Sequence, residues 1–225
     1  MPISEPRAPR GAEGPYGAFD RTRAQRCWAL VYKENKNLFS LASRPARLKN
    51  YKLALRMLSA FKGTDMVKIK LICIGSLKEK FLQEAFNEYK KRLGSFCKFE
   101  LIELDEYKLK NNPSNAEIQM GLGVEAEKIL SKISANSYVV SLCIEGEQLS
   151  SEAISQKLQE VSTYKASEIA FLIGSSFGLA ESVKKRSDFL LSISKMTFPH
   201  QLARVLLCEQ IYRAFQIASG GKYHK

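Results

Sequence analysis

The 225-residue sequence has little of the usual raw material of metal, redox and membrane chemistry. It contains two His, one Trp and five Cys. The cysteines, at positions 27, 73, 97, 143 and 208, are scattered, odd in number and without a CxxC pair. This argues against a zinc centre or a disulfide framework; buried, reduced thiols in a cytoplasmic protein are the preferred reading, and no metal is expected. Apolar runs such as Leu71–Ile74 and Ile169–Ile173 fall far short of the roughly 20 residues a membrane helix needs, so no membrane association is expected. Met1–Arg23 lacks the apolar centre of a secretory leader. There is no GxGxxG and no phosphate-binding P-loop, so nicotinamide and nucleoside-triphosphate enzymes are not supported.

What is present is 45% apolar residues, enough for a sizeable core. A net charge of +12 is spread unevenly: residues 1–65 hold 13 Lys+Arg against 5 Asp+Glu, and residues 66–225 hold 22 against 18. Five of the seven prolines also fall before residue 66. The chain therefore divides into a basic extension, 1–65, and a domain, 66–225. Met1–Gly17 has almost nothing to bury and is expected to be disordered. The extension reads as a nucleic-acid-binding arm, an organelle transit peptide, or a segment foreign to the native protein. The last is preferred, because MVKIKLICIG from Met66 looks like a natural N-terminal strand.

From there strands and helices alternate. Val67–Ile74 is a β-rich run ended by Gly75. Lys78–Leu93 places Phe81, Leu82, Ala85, Phe86, Tyr89 and Leu93 at helical spacing, with Gly94 as its stop. Phe96–Leu104 alternates again. Ser114 and Glu117 form the pattern of a capping box for a helix running to about Ile133. Tyr138–Ile144 is an apolar run suited to a strand covered on both faces. Ser150 or Ser151 opens a helix carrying Ile154, Leu158 and Val161. Ile169–Ile173 reads as a strand, Leu179–Arg186 as a short helix, Phe189–Ser194 as a strand and Gln201–Ala218 as a long helix. Such alternation predicts an α/β domain with a mostly parallel sheet.

Ligands of open parallel sheets sit at the carboxyl ends of the strands. Three predicted strand ends lead into suggestive loops: IEGEQLSSE (144–152), IGSSFG (173–178) and SKMTFPHQ (194–201). The last helix is apolar almost all round, which predicts burial on several sides, by its own sheet and by a second copy. Arg204 interrupts it and needs a partner: a carboxylate, such as Glu209 of another copy, or a phosphate. Glu209 and Arg213 are spaced to pair along the helix. The sequence closes Gly-Gly-Lys-Tyr-His-Lys. Its aromatic and cationic groups suit stacking on a base and contact with phosphate, although composition alone favours a solvated tail.

Together these strings resemble a family. KIKLICIGSLKEKF (68–81), LCIEGEQLSSE (142–152), LIGSSFGL (172–179), LSISKMTFPHQLARVLLCEQIYRAF (191–215) and the terminal YHK make residues 66–225 closely similar to the SPOUT-class ribosomal RNA large-subunit methyltransferase H family. The resemblance covers none of residues 1–65. It implies an α/β-knot fold with a C-terminal trefoil knot. It implies S-adenosylmethionine bound at Leu142, Gly174, Ser194, Lys195, Met196, Thr197, Phe198 and Pro199. It implies a homodimer whose composite site takes the tail of one subunit and the methyl donor of the other. The acceptor implied is ring nitrogen three of a pseudouridine in large-subunit rRNA, on the ribosome. The family usually carries two adjacent glycines where this chain has Gly174 and Ser175. Serine there is strained if φ must be positive and gains a hydrogen bond if not.

Such methyl transfer needs alignment, exclusion of water and loss of an imide proton. The candidate catalytic residues are His224, Arg204 and Tyr223, with His200 preferred as scaffolding. A non-catalytic ribosome-binding assembly factor and a SPOUT enzyme acting on tRNA are the alternatives.

Overall fold

The computed structural model describes residues 66–221 and 223. The expectations for residues 1–65 and for His224 lie outside the described residues. Five strands and five helices alternate: β1 (Lys68–Ile74), α1 (Lys80–Leu93), β2 (Lys98–Leu104), α2 (Asn115–Lys132), β3 (Tyr138–Gln148), α3 (Ser151–Glu160), β4 (Glu168–Ile173), α4 (Glu181–Arg186), β5 (Phe189–Ser192) and α5 (His200–Ala218). A π-helical turn, Val161–Lys165, continues α3. The strands form one parallel sheet in the order β2-β1-β4-β3-β5.

The period-two alternation of a strand sends successive side chains to opposite faces. On one face Ile69, Leu71 and Cys73 of β1 join Ile169, Phe171 and Ile173 of β4 under α1, α3 and α5. On the other face Ile72, Ile74, Ala170 and Leu172 lie under α2 and α4. The central strands are covered on both sides, which is why β1 and β4 are nearly continuous apolar runs. Helix α5 packs between α1 and α3, with Ala203, Arg204, Val205, Leu207, Cys208, Ile211 and Ala214 all buried. Much of its unusual apolar circumference is therefore used within one chain.

Lys70 is the one charged side chain of β1 on the buried stretch. Its Nζ lies 3.1 Å from the Glu168 carboxylate and donates to Ser134 Oγ at 3.2 Å and Lys132 O at 3.3 Å. Burial alone raises the Glu168 carboxyl, but hydrogen bonds from Ser137, Ser134, Lys70 and Lys68 outweigh it and bring it down to about 2. This network ties the amino ends of β1 and β4 to the α2–β3 connection.

Local signals are realised closely. The Ser114 hydroxyl accepts from the Glu117 amide, and the Glu117 carboxylate accepts from the Ser114 amide at 2.8 Å. Ser150, rather than Ser151, caps α3. Cys73, Cys97 and Cys208 are buried free thiols. Several boundaries differ from expectation: α1, β2 and α4 each begin two residues late, at Lys80, Lys98 and Glu181, and two strand ends move. β3 continues past Ile144 to Gln148, because after a register shift Glu147 and Gln148 pair with Leu191 and Ser192 of β5. β5 stops at Ser192, two residues early, and releases the segment 193–199.

Candidate active site

The directions in which the strands exit locate the site. β4 passes to α4 on one face of the sheet, while its neighbours β1 and β3 pass to α1 and α3 on the other. Chains that part in this way open a crevice at the carboxyl end of β4. Segment 193–199 runs across the same place. It leaves β5 at the sheet edge and delivers His200 to the end of β1: the His200 Nε2 lies 4.0 Å from the point where a Gly75 Cβ would stand. With strands about 4.8 Å apart, the crossing covers roughly 14 Å and passes the ends of β3 and β4.

Glycine is required at two positions beside the crevice. A Cβ on Gly174 would stand 2.0 Å from the Gly178 carbonyl oxygen, because residues 175–178 turn back on themselves through a Ser175–Gly178 bridge. A Cβ on Gly146 would stand 2.6 Å from the Leu191 backbone. Ser175, at the position where glycine was the expectation, does not have a positive φ. Its hydroxyl donates to Glu125 at 2.9 Å, so serine adds a bond there without strain.

The crossing segment is held at its ends and open in its middle. Ser192 Oγ donates to Ser194 O at 3.0 Å, and Ser194 Oγ accepts from the Met196 amide at 3.1 Å. Lys195, Met196, Thr197 and Pro199 are exposed, and Phe198 is half-buried. Leu142, half-buried, pairs with Leu191 beside this segment. Leu142, Gly174 and Ser194–Pro199 therefore all lie around the carboxyl ends of β4 and β5, where β3 shifts its register.

Arg204 is wholly buried one turn inside α5. Its partner is not Glu209 but Glu103 of β2, at 2.9 Å, and its Nη2 donates to Ile74 O at 2.6 Å and Gly75 O at 3.0 Å. Its Nε is buried without a partner among the described residues. Glu103 also accepts from the Leu77 amide, and Gln201 from the Lys78 amide. The start of α5 is thus locked to the ends of β1 and β2. His200 belongs to the same cluster. Burial, Arg204 and Lys78 lower its imidazole below the ordinary range, against the pull of Glu106, so its neutral form is favoured.

Tyr223 folds back on α5. Its ring meets Tyr212 edge-on at 5.0 Å and takes the Arg213 guanidinium at 4.8 Å; its hydroxyl donates to Glu209 at 3.3 Å. Glu209 and Arg213 do pair along the helix. Burial and the neighbouring Tyr89 and Glu209 push the Tyr223 phenol up to about 12. Glu209 lies about 14 Å along α5 from His200, so Tyr223 sits well away from the crossing segment of its own chain.

Sequence reasoning missed Glu125 and Glu103. Glu125 left a trace: it occupies the apolar stripe of α2 with Leu122, Ala126 and Ile129, where a carboxylate demands an explanation. A hollow of about 630 Å³ is at the opposite end of the sheet, lined by Ser137, Tyr138, Lys165, Arg186 and Asp188. It is wide open; Arg186 pairs with Asp188, and Lys165 with Glu160 outside the hollow. Among the described residues no cluster of metal-binding side chains occurs, and no helix is long and apolar enough to cross a membrane.

A family model described as "Predicted SPOUT methyltransferase" matches residues 67–224. Proteins named Ribosomal RNA large subunit methyltransferase H from Streptococcus suis (strain 05ZYH33) and Streptococcus thermophilus (strain CNRZ 1066) are 47% and 48% identical over 159 residues, 71% of this chain and all of theirs. A solved structure from Haemophilus influenzae Rd KW20 aligns with TM-score 0.42 and 16% identity over 70% of each chain, too loose a likeness to add to this. With a doubly covered parallel sheet and open loops gathered at the end of β4, the chain belongs to the SPOUT methyltransferase family, among whose curated members are the proteins named Ribosomal RNA large subunit methyltransferase H.

Proposed function

We propose that this protein methylates ring nitrogen three of a pseudouridine in large-subunit ribosomal RNA, with S-adenosylmethionine as donor and the assembled ribosome as substrate. The observation that carries the reading is the crossing of segment 193–199 over the carboxyl end of β4, beside Gly174 and Leu142. The fit to an adenosyl group rests on close backbone packing and an open segment: Gly174, buried, and Gly146, half-buried, let neighbouring backbone approach with no side chain between, and the middle of the crossing segment is exposed. Main-chain groups of Leu142, Gly174 and Ser194–Pro199 are suited to pairing with an adenine edge. When bound, S-adenosylmethionine supplies an electrophilic methyl group. The crossing segment itself is the threaded part of a trefoil knot in this reading.

Arg204 serves as a positioning residue. Wholly buried, it holds the ends of β1 and β2 against α5 and keeps the crossing segment in place. The tail works on another copy. Tyr223 lies far along α5 from its own chain's loops, so a homodimer brings the tail of one subunit to the crevice of the other. There Tyr223 stacks on the nucleotide and His224 takes the imide proton, which must leave nitrogen three before or during attack.

The test is a methyl-transfer assay offering whole ribosomes, free large-subunit rRNA and tRNA as acceptors, with nucleoside mapping of the product and a parallel donor titration. Methylation of a pseudouridine in ribosomes is the expected result. Donor binding without any transfer indicates an assembly factor, and labelled tRNA overturns the substrate.

A further inference from the structure

A buried carboxylate on α2 ties two loops of the crevice together. Glu125 is 4% exposed. Its Oε2 accepts from the Ser175 hydroxyl at 2.9 Å, and its Oε1 accepts from the Tyr107 amide at 3.0 Å. Among the described residues no basic side chain pairs with it. An unneutralised buried carboxylate is costly unless its acceptors are satisfied, and here each oxygen serves a different loop. Ser175 follows Gly174 in the β4 loop. Tyr107 belongs to the segment after β2, and its ring lies so close to α2 that a Cβ on Gly121 would meet it at 2.9 Å. A small hollow lined by Glu106, Tyr107, Gly121, Glu125, Ser175 and Phe177 marks this junction.

We propose that Glu125 is a positioning residue for the methyl-donor site. It fixes the Gly174–Gly178 turn to α2 and to the Tyr107 segment, so that the backbone of Gly174 is presented in one conformation. This rests on the reading that the β4 loop borders the donor. Ser175 is the feature through which this chain makes the link, since glycine at that position has no hydroxyl to offer.

The test uses the full chain and two readouts: the dissociation constant for S-adenosylmethionine by calorimetry, and hydrogen exchange of the 174–178 amides without ligand. Glu125→Ala should weaken donor binding by about tenfold or more and speed exchange in the turn. Ser175→Ala should do the same in smaller measure, and the double variant should be no worse than Glu125→Ala, because both remove one link. Glu125→Gln should be close to the unaltered protein, since its amide can accept from Tyr107 and donate to the Ser175 oxygen. A folded Glu125→Ala protein with unchanged donor affinity and unchanged exchange would overturn the proposal. If Glu125→Ala does not fold, Ser175→Ala decides by the same two measurements. If the unaltered chain binds no S-adenosylmethionine, the donor reading fails, and the clamp is then judged by exchange alone.

Discussion

Two residues show how strictly single positions are constrained. Gly174 is held by sterics: any Cβ would occupy the Gly178 carbonyl oxygen. Gly174→Ala must move backbone at the crevice, so donor affinity should fall by about tenfold or more, measured by calorimetry on protein that still folds. Glu168 is held by charge. Its carboxyl is at about 2 in the fold against an ordinary 4.5, so the native state binds its proton less readily than the unfolded chain. The stability this confers is fully present above pH 4.5 and drains away as pH falls toward 2, in total on the order of 3 kcal/mol. Glu168→Gln should lower the denaturation midpoint at pH 7 and flatten stability between pH 5 and 3. An unchanged acid limb in that variant would show that other carboxylates govern it. His200 works in the same direction at higher pH: depressed in the fold, it costs stability as pH falls below the ordinary imidazole range.

At the scale of the element, α5 is the piece with most to explain. Leu207 is 2% exposed and faces the chain's own core, whereas Leu206 is only half-buried and stands outside that core cluster. The two neighbours therefore separate folding from association. Leu207→Glu should unfold the domain by burying an unpaired charge. Leu206→Glu should leave it folded and turn a dimer into a monomer, as read by light scattering beside circular dichroism. A dimer that survives Leu206→Glu would move the interface off this face. The helix also shows what a sequence conceals. Its apolar circumference was legible in the order of residues, but how much of it faces α1, α3 and the sheet was not, because that depends on α5 lying between two helices that come from distant parts of the chain.

The whole molecule makes its claims through ends and charge. The sheet begins within two residues of Met66, and residues 66–225 carry a net charge of only +4. A chain beginning at Met66 should fold, associate and methylate as the full chain does; loss of activity on truncation would give residues 1–65 a role. Removal of Tyr223–Lys225 should leave donor binding intact, because the crossing segment and β4 loop need no tail, and should cut methyl transfer by roughly a hundredfold or more if His224 is the base. Normal turnover in the shortened protein would return the tail to a solvated end. A weakly charged domain binds naked RNA poorly through counterion release, so its preference should be for the shaped surface of a ribosomal particle.

What the order of residues determined by itself is local. The Ser114–Glu117 capping box is encoded within one turn, and the buried central strands are encoded in the apolar runs 67–74 and 169–173, because caps and periodicity are short-range physics. The glycines of the β4 loop were likewise visible, together with the strings that tie them to a family. Only the tertiary structure decided the partners of the buried charges. Arg204 finds Glu103 across 101 positions, and Ser175 finds Glu125 across 50. It also decided that β3 continues through polar residues to meet β5, and that segment 193–199 crosses the end of β4. Each of these follows from the sheet order β2-β1-β4-β3-β5, which brings together strands far apart in sequence and so lies beyond the reach of any pattern read along the chain.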